Sequence, residues 1–424
     1  MKILKNTIII LLVAVCVGVL GYLGFFMVRM MNPIVSEPVQ LQSQEELFPE
    51  KEEEPVPDEP VQEEPAEDEP EVEGPKELTA QDRARTYLET MTLDEKLWQL
   101  FFVTPEALTG VETATRAGDT TADALAEKPV GGICYFAHNM EDPTQTATML
   151  LSTMQYAKTP VFLSVDEEGG IVSRLGSNEA MGVTSLRPAF DYGLEDDAEA
   201  LEAESAALAG QMTGLGFNMN FAPVADLWVE GNAVIGSRAY SADPVVVGRL
   251  SSAMVTGLQN NGVAACLKHF PGHGYATDDT HAGSAVSNRT LEELRADEFQ
   301  AFRTGINSGV HFVMMAHLTN ENFSSHPASL SPEVVGLLRT ELNFNGIIIT
   351  DALNMQAITN YYAADQAAVM AIAAGCDMIL MPNSMEKAYD GLVGAVLDGT
   401  LTEERIDESV LRILTVKYEM GIMK

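Results

Sequence analysis

Positive charge is scarce in this sequence: 25 lysines and arginines face 62 aspartates and glutamates over 424 residues, a formal net charge of -37. A surface with that excess repels polyanions, which argues against nucleic acid and anionic lipid headgroups as partners. Cysteine is scarcer still, at four residues. Cys16 falls inside an apolar run; Cys134, Cys266 and Cys376 are an odd set with no CxxC pair and no metal-ligand spacing. Disulfides therefore do not define the fold, and these three are expected as buried free thiols. Long apolar runs are absent too, with one exception at residues 8–28.

That run is long enough, as a helix, to cross the roughly 30 Å hydrocarbon core of a bilayer. Lys2 and Lys5 precede it and Arg29 closely follows, while acids lie beyond. The bias predicts a single-pass anchor over residues 1–32, with a cytoplasmic N-terminus and the rest of the chain outside the cell membrane. A cleaved signal peptide is the alternative, but the run is long for one and residues 27–36 show no small-x-small cleavage site. Residues 33–76 hold sixteen acids, two lysines and nine prolines. With no apolar periodicity to build a core, this segment is expected to be a disordered, self-repelling spacer.

From residue 77 to residue 424 short apolar runs alternate with segments of helical period, the pattern of repeated β-α units. Candidate strands lie at 97–103, 130–136, 161–165, 217–222, 263–267, 312–315, 346–350 and 378–381, after an amphipathic stretch at 80–96. Eight alternations in one stretch predict an α/β fold, a (β/α)8 TIM-type barrel, and no second globular domain. Such a barrel assembles its site from the C-terminal ends of its strands. Polar residues crowd those ends: Asp166 ends the third, Asp226 follows the fourth, Lys268 and His269 the fifth, His317 the sixth and Asp351 the seventh.

The densest signal is the run 268–274, KHFPGHG, followed by Asp279, Thr280 and His281; three of the seven histidines fall here. His269 and His273 are four apart, but Pro271 and Gly272 forbid the helix that would align them on a metal, and no full ligand set is present. A histidine oriented by a nearby aspartate is the better reading, because the carboxylate stabilises imidazolium and creates a proton donor and acceptor near neutral pH. The strand 346–350 ends on Asp351, a carboxylate placed at a rim and suited to be a nucleophile or, more plainly, a helix cap.

Taken together, DEEGG at 166–170 with Arg174, FAPVAD at 221–226, IGSR at 235–238, the 268–274 run, DTH at 279–281 and Thr350-Asp351 resemble glycoside hydrolase family 3, in its β-N-acetylhexosaminidase branch. The resemblance spans nearly all of residues 77–424. It implies a retaining exo-enzyme that removes terminal β-linked N-acetylglucosamine, with Asp351 as nucleophile and His281 as acid/base, paired with Asp279. It further implies that Asp166, Arg174, Arg238, Lys268 and His269 hold the sugar. Asp226 and His317 are expected as supporting or pocket-lining residues and His273 as a structural loop residue. No metal or organic cofactor is required. Ile171 and Ala352 depart from the family pattern, which leaves the leaving-group side of the pocket open. Anchor and spacer together point to peptidoglycan fragments or related aminosugar glycans, handled by a monomer. The alternatives are a β-glucosidase or an N-acetylglucosaminide phosphorylase of the same family, and a catalytically idle wall-binding barrel.

Overall fold

The computed structural model describes residues 78–276, residue 283 and residues 285–424. The expected anchor and spacer, and the Asp279 and His281 positions, lie outside the described residues. Among the described residues no helix is long and apolar enough to cross a membrane.

Eight strands build the central sheet of the described chain: β1 (Phe101–Val103), β2 (Gly132–Cys134), β3 (Phe162–Val165), β4 (Met219–Asn220), β5 (Cys266–Phe270), β6 (Phe312–Met315), β7 (Ile347–Ala352) and β8 (Met378–Leu380). They pair in parallel in the order β4-β3-β2-β1-β8-β7-β6-β5, which is chain order around a ring. The edges β4 and β5 meet through bridges from Met219 to Ala264 and from Val224 to Lys268, so the sheet is nearly closed. A helix follows every strand, from Asp119–Glu127 after β1 to Met385–Leu397 after β8. Their apolar faces cover the outer side of the sheet, as parallel strands require.

The interior is packed. Phe162 meets Phe312 edge-on with ring centroids 5.0 Å apart, and Phe102 meets Phe221 at 5.1 Å, all four fully buried. Each such ring contributes roughly 2–3 kcal/mol by leaving water. The three cysteines are buried, unpaired thiols.

Most strand bounds shift by a residue or more from the sequence expectation, and three differences stand out. Residues 97–99 belong to a helix, Leu93–Gln99, and β1 starts only at Phe101. A capping box decides this: the Thr92 hydroxyl accepts from the Glu95 N–H while the Glu95 carboxylate accepts from the Thr92 N–H, which fixes the helix start. The same device at Thr79 and Asp82 starts a separate helix, Ala80–Leu88, so the 80–96 stretch is broken in two. Lys268 and His269 lie inside β5 rather than after it, because the strand runs to Phe270.

Candidate active site

At the C-terminal ends of the strands a cavity of about 320 Å³ is lined by Asp166, Glu168, Arg174, Arg238, Lys268, His269 and Asp351, with Phe136 and Met314 among its apolar walls. Every sugar-contacting candidate from the sequence, and the candidate nucleophile, therefore reaches one space. Its size suits a single sugar ring, at the small end of ordinary ligand pockets.

Two irregularities in the sheet aim the key side chains. The pairing of β7 with β8 slips between Ile349 and Ala352, and the pairing of β5 with β6 slips between Leu267 and Phe270. Bulges of this kind re-aim side chains beside active sites. The first slip holds Asp351 and the second holds Lys268 and His269, joined by a cis peptide bond. Thr350 repairs the ladder at the first slip, its hydroxyl accepting the Leu380 N–H at 3.0 Å. The Ala352 N–H then donates to Asp351 Oδ1 at 2.7 Å. Burial works against ionisation of Asp351, yet the His317 and His269 rings, that N–H and the Lys268 ammonium outweigh it and hold the carboxyl below the ordinary aspartate range.

The DEEGG segment divides its carboxylates by side. In extended chain, residues two apart share a face, so Asp166 and Glu168 point one way and Glu167 the other. Lys268 Nζ lies 2.7 Å from Asp166 Oδ1 and 2.6 Å from Glu168 Oε1. Arg238 grips Glu168 with two bonds, Nε to Oε2 at 2.8 Å and a terminal nitrogen to Oε1 at 2.9 Å. Burial opposes the Glu168 charge, but Lys268 and Arg238 prevail and pull its pKa down to about 2. Burial in turn opposes the Lys268 charge, but the Asp166 and Glu168 carboxylates raise its pKa above the ordinary lysine value. Glu168 was not singled out from the sequence as a site residue. Two cations, Arg238 and Lys268, expected at one buried site with only Asp166 between them were the signal for a second carboxylate.

Glu167 turns inward and organises the loop. Its carboxylate accepts the N–H groups of Arg174 and Leu175, both at 2.7 Å, that of Gly176 at 3.2 Å, and the Ser173 hydroxyl. The hairpin Glu167–Gly169 with Val172–Ser173 turns at Gly169 and Gly170, whose φ values of 95° and 55° suit glycine. A Cβ on Gly169 would also stand 2.7 Å from the Arg187 carbonyl oxygen. The turn returns Arg174 to the cavity wall, its guanidinium 5.9 Å from the Phe136 ring centre. Arg174 Nε is buried with no hydrogen-bond partner among the described residues.

Asp226 is fully buried and not part of the cavity wall. It takes His269 Nδ1 at 2.6 Å and the His273 N–H, also at 2.6 Å, so it orients the ring and ties down the turn beyond β5. Burial resists its charge, while His269, His273 and their donors hold its pKa below the ordinary value. His317 is likewise behind the wall. Its Nε2 donates to the Ala352 carbonyl at 2.9 Å and its Nδ1 meets the Ser329 hydroxyl at 2.8 Å, while burial lowers its pKa against the pull of Asp351. It braces the strand end that carries Asp351. Among the described residues no cluster of histidine, cysteine and carboxylate side chains could hold a metal ion.

A pocket of this size at the mouth of a parallel barrel, lined by three carboxylates of which two are paired to cations, is suited to holding a sugar. Residues 92–416 match the family model described as the glycosyl hydrolase family 3 N terminal domain, and the chain belongs to that family of glycoside hydrolases. A β-hexosaminidase of Nitrosomonas eutropha is 35% identical over 281 residues, which cover 65% of this chain and 80% of that one. A family 3 β-N-acetylglucosaminidase from Paenibacillus sp. str. FPU-7 matches with a TM-score of 0.74 at 36% identity, over 78% of this chain and 63% of that one. A family 3 glycosyl hydrolase from Mycobacterium smegmatis matches with a TM-score of 0.69 at 32% identity, over 78% of this chain and 98% of that one.

Proposed function

We propose that the protein is a retaining exo-β-N-acetylglucosaminidase, acting outside the cell membrane on peptidoglycan fragments or related aminosugar glycans, tethered through residues 1–32 and working as a monomer. The observation that carries it is the convergence of Asp351 with Asp166, Arg174, Arg238, Lys268 and His269 on one sugar-sized cavity. The names of the relatives favour an N-acetylglucosaminide over a glucoside. The extracytoplasmic setting rests on the anchor and spacer compositions alone.

In this reading the terminal sugar is fixed by hydrogen bonds from its hydroxyls to Asp166 and from Arg174 and Lys268 to its oxygens. Asp351 attacks C1 while His281, oriented by Asp279, gives a proton to the glycosidic oxygen. The C1–O bond breaks, the aglycone leaves as an alcohol, and C1 is esterified to Asp351. His281 then takes a proton from water, whose oxygen attacks C1 and releases Asp351, with retention overall. A histidine thus stands where most retaining enzymes have a second carboxyl group.

The test is release of 4-nitrophenol from its β-N-acetylglucosaminide and its β-glucoside, with and without phosphate, by the wild type and by Asp351→Ala and His281→Ala. Turnover of the N-acetyl substrate alone, lost in Asp351→Ala, is expected. Acceleration by phosphate would transfer the protein to the phosphorylases, and preference for the glucoside to the β-glucosidases. Sugar binding without turnover by the wild type would leave a binding barrel.

A further inference from the structure

Ile171, one of the two departures from the family pattern, sits in the turn of the hairpin Glu167–Gly169 with Val172–Ser173 that follows β3, and it is 71% exposed. Its chain neighbour Val172 lines the catalytic cavity, as does Phe136 from the loop after β2, the adjacent strand. Consecutive Cα atoms stand about 3.8 Å apart, so Ile171 lies at the edge of the cavity, on its solvent side.

Single exposed apolar residues are ordinary on protein surfaces and by themselves signify nothing. The turn that carries this one, however, is braced from several directions. The Glu167 carboxylate accepts the N–H groups of Arg174 and Leu175 and the Ser173 hydroxyl, the Gly170 N–H donates to the Leu186 carbonyl at 3.0 Å, and a Cβ on Gly170 would stand 2.9 Å from Pro188 Cα. A contact on so fixed a backbone orders little when a ligand covers it, so little of the gain is offset. The isoleucine offers apolar contact only. A charged or strongly hydrated group seated on it would lose water without gaining a partner.

The direction of displacement selects what reaches this turn. Asp351 is on β7, and β7 and β3 are four strands apart whichever way the ring is traversed, hence on opposite sides of the mouth. A nucleophile that displaces a group from C1 expels it on the side away from itself. With Asp351 attacking from the β7 side, the bond to the leaving group points toward β3. The first ring fills the cavity of about 320 Å³, which leaves the second sugar at the rim, over the hairpin turn.

We propose that Ile171, together with the adjoining wall residues Val172 and Phe136, is the specificity-determining contact on the leaving-group side and takes the apolar C–H face of a neutral second sugar. This rests on the reading of Asp351 as the nucleophile of an exo-acting N-acetylglucosaminidase. The contact is made by the departing part of the substrate, so its loss discriminates between substrates that differ only there.

The experiment compares the whole protein with Ile171→Ser, Ile171→Leu and Asp351→Ala on chitobiose and on methyl β-N-acetylglucosaminide, reading kcat/KM from initial release of N-acetylglucosamine. Both substrates expel an alkoxide and need the same proton, but only chitobiose carries a second ring. Because Ile171 is exposed, its replacement leaves the core intact. The ratio of kcat/KM on chitobiose to that on the methyl glycoside is expected to fall about 5–10-fold in Ile171→Ser and to stay within about twofold in Ile171→Leu, which keeps the apolar area. An unchanged ratio in Ile171→Ser, or an equal fall in Ile171→Leu, would overturn the proposal, while wild-type turnover that Asp351→Ala abolishes leaves the enzymatic reading standing. Turnover of neither substrate by the wild type, or turnover that survives Asp351→Ala, would instead overturn that reading, and the proposal with it.

Discussion

At the N-terminal end of the barrel Asp377, fully buried, receives the Ile348 N–H at 2.9 Å, the Ser409 hydroxyl at 2.8 Å, the Arg412 guanidinium at 3.0 Å and the Arg339 guanidinium. Both carboxylate oxygens are occupied, and the charge is enclosed. At the C-terminal end Lys268 is shared between two carboxylates, Arg174 Nε is buried without a partner among the described residues, and Asp351 faces a cavity. The two ends spend buried charge differently. A saturated network clamps the C-terminal helix Glu403–Glu419 to the sheet and has nothing left to bind, whereas an incomplete one keeps donors and acceptors for a sugar that brings its own.

The sharpest way to break the contrast is to exchange the consequences of damage at each end. Asp351→Asn should lower kcat by about 10,000-fold with the thermal midpoint unchanged or raised, checked by burst kinetics and calorimetry. A large loss of stability there would show that Asp351 belongs to a structural network after all. Asp377→Ala should do the reverse, losing about 3–5 kcal/mol in urea unfolding because Arg339, Arg412 and the more distant Arg405 lose a buried counter-charge, while kcat/KM per folded molecule stays within a factor of about two. Glu168→Gln tests the boundary between the two kinds of network. It should lower kcat/KM by about 100-fold, mostly through KM, since Arg238 and Lys268 lose the charge that fixes them.

The smallest effect expected is at Lys417, fully buried beneath the barrel with Nζ donating to Gln99 Oε1 at 2.7 Å and lying 5.3 Å from the Phe162 ring centre. Burial depresses its pKa from 10.5 to about 7. The unfolded chain therefore holds this proton up to about pH 10.5 and the folded chain only below about 7, so stability rises with pH across that window. Lys417→Met should stabilise the domain by roughly 2 kcal/mol below pH 7, after the lost bond to Gln99 is subtracted, and the gain should vanish toward pH 10.5. A pH-independent gain would mean that packing, not ionisation, is relieved.

Much of this was legible in the sequence where local rules and tertiary demands agree. The alternation of apolar runs with helical segments gave the strand-helix order, and carboxylates or basic residues directly after those runs marked Asp166, Lys268, His269 and Asp351. Illegible features depend on pairings far apart along the chain. Asp377 meets Arg412 on another helix, and no spacing rule joins them. The helix at residues 93–99 was hidden because a short apolar run fits either a strand or a buried helix, although Thr92 and Glu95 carried its capping signal. The sheet slips that aim Asp351 and Lys268 leave no mark in composition at all.

The cavity's modest capacity also governs how a polymer would be consumed. With about 320 Å³ behind the rim there is room for one ring and none for a chain to thread through. On the exo-acting reading proposed above, substrate enters by a free terminus, so each turnover releases one monosaccharide and presents the next end. A long glycan treated this way yields free sugar from the first minute while its viscosity scarcely falls, the opposite of what a mid-chain cutter produces.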